Sequence, residues 1–548
     1  LIQYDNIFLE PSRKLFALTG LTSLLILLLT WLNPFKMDQS VYQSMALQWV
    51  RFGRLPYLGS WDMNFPGIVF IHSFAILLFG NSDIGFHALD ILVHLGSALM
   101  VYRLVERWTS PRVAFLAATV LCLLYSNGGD ANTGQREGFA VFFVLAATTL
   151  LFYLRKRVVI KRDERNRSRK KELAVSIAIG ICVGCACAIR PTYGLFAIIL
   201  GIAVWNVQRQ DSPARLAAYL FGVLLLTLAI LLPFASKPGG INALYLATIR
   251  FNLDIYGSGS YRLPLIDAFS QKSEIFVDAV LGASLLAYFI TRKYSSKGVV
   301  YPYRGFARFE QYLFVAYYIA ARVSIWVMGK FFRHHYEFLL LLTSILIAML
   351  IDRIILLIKS KRERAFVFSL ILALLMLAIP WWVIRWLVQG LGQPGDTIEF
   401  VQSRLSAMNE DARPQNVALT KYIQARTLST DRVEFCSEDA EFIWRSERQP
   451  ATRFTMVFPL AMQLPHGGYT KYQLEWRKEF VDSLTIVRPN FIILALEHKR
   501  FMNFLTEPPN ILMRRIPGFE ILLAKSYTYD TTFCDFEIYR LTNAKPSP

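Results

Sequence analysis

The sequence predicts a mainly α-helical polytopic membrane protein with a C-terminal α/β domain outside the membrane. Three observations predict it. Many apolar runs approach 20 residues, enough to cross the roughly 30 Å hydrocarbon core of a bilayer. Only 18% of the 548 residues are charged and the mean hydropathy is +0.37, whereas soluble domains carry about 25% charged residues. The basic residues, finally, fall in short blocks between the apolar runs.

The runs that read as spans are Leu15–Leu32, Ile84–Tyr102, Val113–Tyr125, Gly138–Leu154, Leu173–Ile189, Tyr193–Val207, Leu216–Phe234, Ile275–Ile290, Tyr312–Met328, Phe338–Leu357 and Phe366–Val388. Leu15–Leu32 lacks a small-residue cleavage site and leads into polar sequence, so it reads as a retained helix rather than a signal peptide. Between the runs lie basic blocks such as Arg155–Glu172, "RKRVVIKRDERNRSRKKE". Short basic loops mark the cytoplasmic side, where they face anionic lipid. The net charge of +19 is thus assigned to topology, and nucleic acid is excluded as a partner. Eleven crossings from a cytoplasmic N-terminus put every basic block inside and the C-terminal segment outside. Gly67–Phe79 covers only about two thirds of the core at 1.5 Å per residue and reads as an interfacial or re-entrant helix. Ser40–Phe52 is amphipathic and is expected to lie along the membrane surface.

Composition changes near the Gly/Pro-rich stretch 389–396, dividing the chain into a transmembrane domain, 1–389, and an extracytoplasmic domain, 390–548. In the latter, Arg432–Cys436, Phe491–Ala495 and Phe536–Arg540 read as strands, Leu474–Ile486 and Lys499–Leu505 as helices. Cys122, Cys182, Cys185 and Cys187 lie in apolar runs and read as packing residues. Cys436 and Cys534 are alone in the outer domain, and a disulfide between neighbouring strands is expected.

This topology gathers polar residues on the outer face. Asp38 and Gln39 follow the first span; Trp61, Asp62 and Asn64 lie farther along the same loop. The second outer loop holds Asn132, Gln135, Arg136 and Glu137. Arg190 ends one span, and Lys330, Arg333, His334, His335 and Tyr336 follow another. Outer loops are normally poor in basic residues. Cations held at headgroup depth suit a phosphate; the alternative is interfacial anchoring by snorkelling side chains. His87, Asp90 and His94 share one helix face and read as a polar seam inside the bundle rather than a metal site.

The stretch "DQSVYQSMALQWVRFGRLPYLGSWDMNFPGIVFIHSFAILLFG" resembles the first-loop signature of GT-C glycosyltransferases of the protein O-mannosyltransferase and aminoarabinose lipid A transferase type. "ANTGQRE", "RPTYG", "RHHYEF" and the start of the C-terminal domain fall in the matching order. Two departures stand out: Asn64 and Phe65 replace the usual Lys-Pro, and His87 an expected Arg.

The resemblance implies an inverting glycosyltransferase of a bacterial inner membrane. A hexosyl or pentosyl group would pass from a polyprenyl-phosphate carrier to a protein, lipid or glycan hydroxyl. Asp38 is then the candidate general base, its alternative role being a helix N-cap. Asp62 would orient the acceptor or a cation. Arg136, Arg190, Arg333, His334 and His335 would hold the donor phosphate. Gln39, Tyr42, Asn64, Asn132, Glu137, Lys330 and Tyr336 would complete the substrate site. No cofactor is expected, a divalent metal being the alternative. A non-catalytic scaffold subunit and a transporter are the competing classes.

Overall fold

The computed structural model describes residues 9–33, 35–160, 165–207, 211–258, 263–264, 277–282, 308–357, 414–496 and 505–542. In chain order its helices are α1 (Leu9–Leu28), α2 (Met37–Phe52), α3 (Gly67–Phe79), α4 (Asp83–Trp108), α5 (Pro111–Ser126), α6 (Arg136–Ile160), α7 (Arg165–Ile189), α8 (Gly194–Trp205), α9 (Ser212–Ala235), α10 (Gly240–Tyr245), α11 (Arg308–Met328), α12 (Glu337–Leu357), α13 (Pro414–Gln424), α14 (Glu441–Ser446), α15 (Phe458–Ala461), α16 (Lys471–Val487), α17 (Pro509–Arg514) and α18 (Phe519–Ser526). The strands are β1 (Val433–Cys436), β2 (Phe491–Ala495), β3 (Tyr527–Phe533) and β4 (Phe536–Leu541). Among the described residues, seven helices are long and apolar enough to cross a membrane, and Gly67–Phe79, Pro111–Ser126 and Pro191–Trp205 are shorter apolar helices. Helices cover every expected span except Ile275–Ile290 and Phe366–Val388. The former lies mostly, and the latter wholly, outside the described residues, as does the expected domain boundary near residue 389.

The chain forms two compact units that do not follow sequence order. The first unit comprises residues up to Asn33, His87–Leu228, and the described residues from Pro264 to Val401. Here α5 packs against α1 and α12, and α6 against α7. α5 starts where Pro111 occupies the first turn and the Ser110 hydroxyl accepts from the Val113 N–H at 3.3 Å, a side-chain N-cap. Glycines set a close crossing of α7 and α9: a Cβ at Gly180 would lie 2.1 Å from the Tyr219 carbonyl oxygen, and one at Gly222 2.2 Å from that of Ile177. Small residues at such crossings let backbones approach in membranes.

The second unit comprises Pro34–Phe86, Ala229–Leu263 and the described residues beyond Gln402. It joins the first loop to the C-terminal segment. Its sheet has the order β1-β2-β4-β3, with β1 parallel to β2 and the remaining pairs antiparallel. β1, β2 and β4 match the expected strands, and α16 matches the expected helix. β3 was not foreseen, because "YTYDTTF" is polar and exposed along most of its length. The expected helix Lys499–Leu505 lies almost entirely outside the described residues.

Two expectations change. The Cys436–Cys534 disulfide is absent, and both thiols are free. β2 lies between β1 and the β3–β4 hairpin, so the two cysteines are about two strand spacings apart, roughly 9–10 Å, beyond the reach of a disulfide. α2 is also not a helix with one open face, since every residue from Gln39 to Gln48 is buried. Its Ser44 hydroxyl donates to the Ala440 carbonyl at 2.7 Å, and Gln43 links His72 at 2.8 Å to Asn81 at 2.9 Å.

Candidate functional site

The predicted site residues fall in both units. In the first, the second loop folds inward, with Asn132, Thr133, Gln135 and Glu137 all buried. Asn33 donates to the Thr133 hydroxyl at 2.7 Å. Glu137, in the first turn of α6, receives Arg190 Nη1 at 2.6 Å and Arg136 Nε at 3.2 Å on its Oε1. Arg190 is only 2% exposed. It follows the last residue of α7, where the step into Pro191 ends the helix. A short 3-10 turn, Arg333–Tyr336, presents His334 and His335 with their rings 4.7 Å apart. Arg190, His334, Arg136 and Lys330 all act electrostatically on His335. Lys330 and Tyr336 are buried. Arg333 is exposed, and donates to the Asn127 carbonyl at 2.8 Å.

The structure thus gathers Arg136, Glu137, Arg190, Lys330, His334 and His335 into one buried cluster in which cations outnumber carboxylates. Glu137 Oε2 and His335 Nδ1 have no hydrogen-bond partner among the described residues, nor do the Asn132 amide atoms. Glu137, His334 and His335 also offer ligand atoms within 4.8 Å of one another, the geometry from which a divalent cation could be held. The neighbouring guanidinium groups oppose a second cation there and favour an anion.

A second polar layer adjoins the cluster. Asp90 pairs with His94 at 3.2 Å and accepts hydrogen bonds from the Tyr125 hydroxyl and the Gly134 N–H. Tyr125 stacks on His94 with ring centroids 3.7 Å apart. Glu337 acts electrostatically on His94, and Glu137 and Arg190 act on Glu337. Asp90 is therefore committed within a polar seam. Gly138 makes room for it, because a Cβ there would fall 2.6 Å from the His94 ring. Sequence reasoning passed over Tyr125, Gly138 and Glu337. An acid beginning an apolar run, as Glu337 does, is the signal that could have found it.

In the second unit, Asp38 sits half-buried in the first turn of α2. It is not the cap: Lys36 holds that position, and its N–H donates to Gln39 Oε1 at 3.0 Å. Gln39 is thus a capping residue, and Tyr42 is buried with its ring 5.7 Å from that of His72. Asp62 is buried, its Oδ1 accepting from the Met63 N–H at 2.8 Å and Asn64 Nδ2 at 3.2 Å. The segment carrying them is held from several sides. Tyr57, at φ 68°, donates through its hydroxyl to the Asn64 carbonyl at 2.5 Å. Arg453 Nη1 donates to the Tyr57 carbonyl at 2.8 Å while binding Glu479 bidentately. Thr455 donates to the Trp61 carbonyl, and Asn252 to that of Met63 at 2.7 Å. Trp61 itself packs edge-on against Phe251 and Trp476. These clamping residues come from distant sequence and carried no signal of their own.

With the helical bundle, its buried cation cluster and the clamped first loop described, comparison with known proteins agrees with the resemblance seen in the sequence over part of the chain and in the fold. Residues 64–236 match the family model described as dolichyl-phosphate-mannose-protein mannosyltransferase. The structure is similar to that of ArnT from Cupriavidus metallidurans bound to undecaprenyl phosphate, with a TM-score of 0.57 at 12% identity, covering 98% of this chain and 99% of that one. It is also similar to the Archaeoglobus fulgidus oligosaccharyltransferase tethered to an acceptor peptide, with a TM-score of 0.49 at 12% identity, covering 97% and 74%. No curated protein matches the sequence. At such identities the fold is what is shared.

Proposed function

We propose that this protein transfers a sugar from a polyprenyl-phosphate carrier to an acceptor hydroxyl at the outer face of a membrane, with inversion at the anomeric carbon. The observation that carries the reading is the buried cluster of Arg136, Arg190, Lys330, His334 and His335 around the carboxylate of Glu137. Desolvated cations in excess attract a phosphate and stabilise it as a leaving group. Glu137 holds Arg190 in place for that task, and Arg333 adds a cation from the same turn. The family match over residues 64–236 and the fold support the same chemistry. The transferred group is a hexose or pentose, the acceptor a protein, lipid or glycan, and the setting a bacterial inner membrane with the C-terminal segment outside.

Asp38 is the proposed base that takes the acceptor proton. Asp62 stiffens its own loop through Asn64 and positions the acceptor. Gln39 and Tyr42 support α2, while Asn132 and Tyr336 contribute polar contacts to the donor. The reaction as written needs no cofactor; Glu137, His334 and His335 are the residues that would hold a divalent cation.

Asp38→Asn tests the reading, because the helix cap at Lys36 and Gln39 is untouched by it. Donor-lipid binding, read by native mass spectrometry, is expected to persist while transfer falls by roughly 10²–10⁴-fold. Arg333→Ala is expected to weaken donor binding as well. Near-normal turnover by Asp38→Asn removes the base. Turnover abolished by a chelator and restored by a divalent metal overturns the cofactor-free mechanism.

A further inference from the structure

We infer that a pocket in the second unit, between α13 and the turn after α3, binds the phosphate-bearing headgroup of a membrane lipid. The cavity measures about 430 Å³ and is lined by Asn81, Asp83, Thr420, Lys421, Trp444 and Arg445, among others. That is many times the roughly 30 Å³ share of a water molecule and takes a phosphate ester with its glycerol.

The chemistry of the lining selects an acceptor-rich ligand. Three of its residues hold buried donors with no acceptor among the described residues: Thr420 Oγ1, Trp444 Nε1 and Arg445 Nη2. The last forms an ion pair with Asp83 Oδ2 at 3.6 Å, too long for a hydrogen bond, while Arg445 Nε is fixed on Glu441 at 2.6 Å. The carboxylates nearby already have partners. Glu447 pairs with Arg51 and receives Asn81 Nδ2 at 3.3 Å; Asp83 accepts from the Ile84 N–H at 3.0 Å. Lys421 adds a cation at the exposed rim. Buried donors in native proteins nearly always find partners, and three on one cavity, without a hydrogen-bond acceptor among the described residues, suit a ligand that brings oxygen atoms. A phosphate supplies them.

The apolar side of the same feature makes the ligand a lipid. The last turns of α3 expose Phe74, Leu77, Leu78 and Phe79, with Leu77 70% exposed, and only Gly80 separates them from Asn81 at the pocket. A greasy exposed turn leading directly into a donor-lined cavity matches an amphiphile, with chains along α3 and headgroup in the pocket. This site shares no residue with the cation cluster of the first unit, and the inference stands whether or not Asp38 catalyses transfer.

The test uses the full-length protein in detergent, titrated by native mass spectrometry with dioleoyl phosphatidic acid, with dioleoylglycerol as the phosphate-free control. Wild type is expected to bind phosphatidic acid and not dioleoylglycerol. Lys421→Glu, at an exposed position, and the near-isosteric pair Thr420→Val with Trp444→Phe should each weaken binding at least tenfold, with unchanged thermal midpoints. Lys525→Glu, at an exposed position on α18 away from the pocket lining, should bind as wild type does. Unchanged affinity in Lys421→Glu and in the paired variant overturns the site. Equal binding of dioleoylglycerol overturns the phosphate, and displacement by inorganic phosphate at matching concentration overturns the lipid.

Discussion

Replacing Glu434 by Gln should remove a pH dependence from the stability of this protein. Glu434 lies on β1 and is 1% exposed. Burial pushes its carboxyl up to about 7, against the opposing pull of hydrogen bonds from Thr452 and the charge of Arg54. The native state therefore holds a proton that the unfolded chain, titrating near 4.5, releases more readily. Between those two values unfolding releases protons, so stability falls as pH rises and levels off above about 7. At about 1.4 kcal/mol per unit, the full span is on the order of 3 kcal/mol.

Gln suits the site in the neutral state. Its oxygen can accept from the Thr452 N–H, now 2.9 Å from Oε2, and its amide can donate to the Thr452 hydroxyl, now 2.7 Å from Oε1. The assay is thermal or denaturant unfolding of the full-length protein in detergent at pH 5 and pH 8. Wild type should lose stability between the two relative to Glu434→Gln, by roughly the amount above, while the variant equals or exceeds wild type at pH 8. Arg54 would still be held by the Pro450 and Thr452 carbonyls, at 2.6 and 2.8 Å, so the first loop stays anchored in the variant. Identical pH dependence in the two proteins would refute the assignment.

Gly138→Ala should destabilise the first unit by about 1–3 kcal/mol, because the added methyl would meet His94 and Glu337; an unchanged melting midpoint would show that α6 can move aside. The sidedness of the chain can be read with an impermeant thiol reagent on intact cells, using single cysteines in a Cys-free background. Exposed Lys170 and Glu475 serve better than buried positions such as Ser212 or Ser446. Lys170→Cys should be shielded and Glu475→Cys labelled, and labelling of Lys170→Cys would invert the proposed topology.

Segments whose fate depends on their own composition were legible from the sequence alone. The long apolar runs, the short α3, the buried strands β1 and β2 and the polar second loop were all visible, because transfer from water into an apolar environment adds up residue by residue along a segment. The boundary cations could be named for the same reason: a basic residue at the end of an apolar run stands out locally. Partnership was not legible. Nothing in "WDMNFPG" indicates that Asp62 spends an oxygen on Asn64, nor does the spacing of Cys436 and Cys534 show that β2 separates them. β3 escaped notice because an exposed edge strand needs little apolar signal of its own. α2 read as a surface helix because its polar residues were assumed to face water, whereas Gln43 and Ser44 are buried against partners in α3, Asn81 and α14. The tertiary structure alone decided that Arg453 would clamp the Tyr57 carbonyl from 396 positions away. A hydrogen bond depends on distance and angle between two groups, and those are set by the packing of the whole unit rather than by the residues on either side.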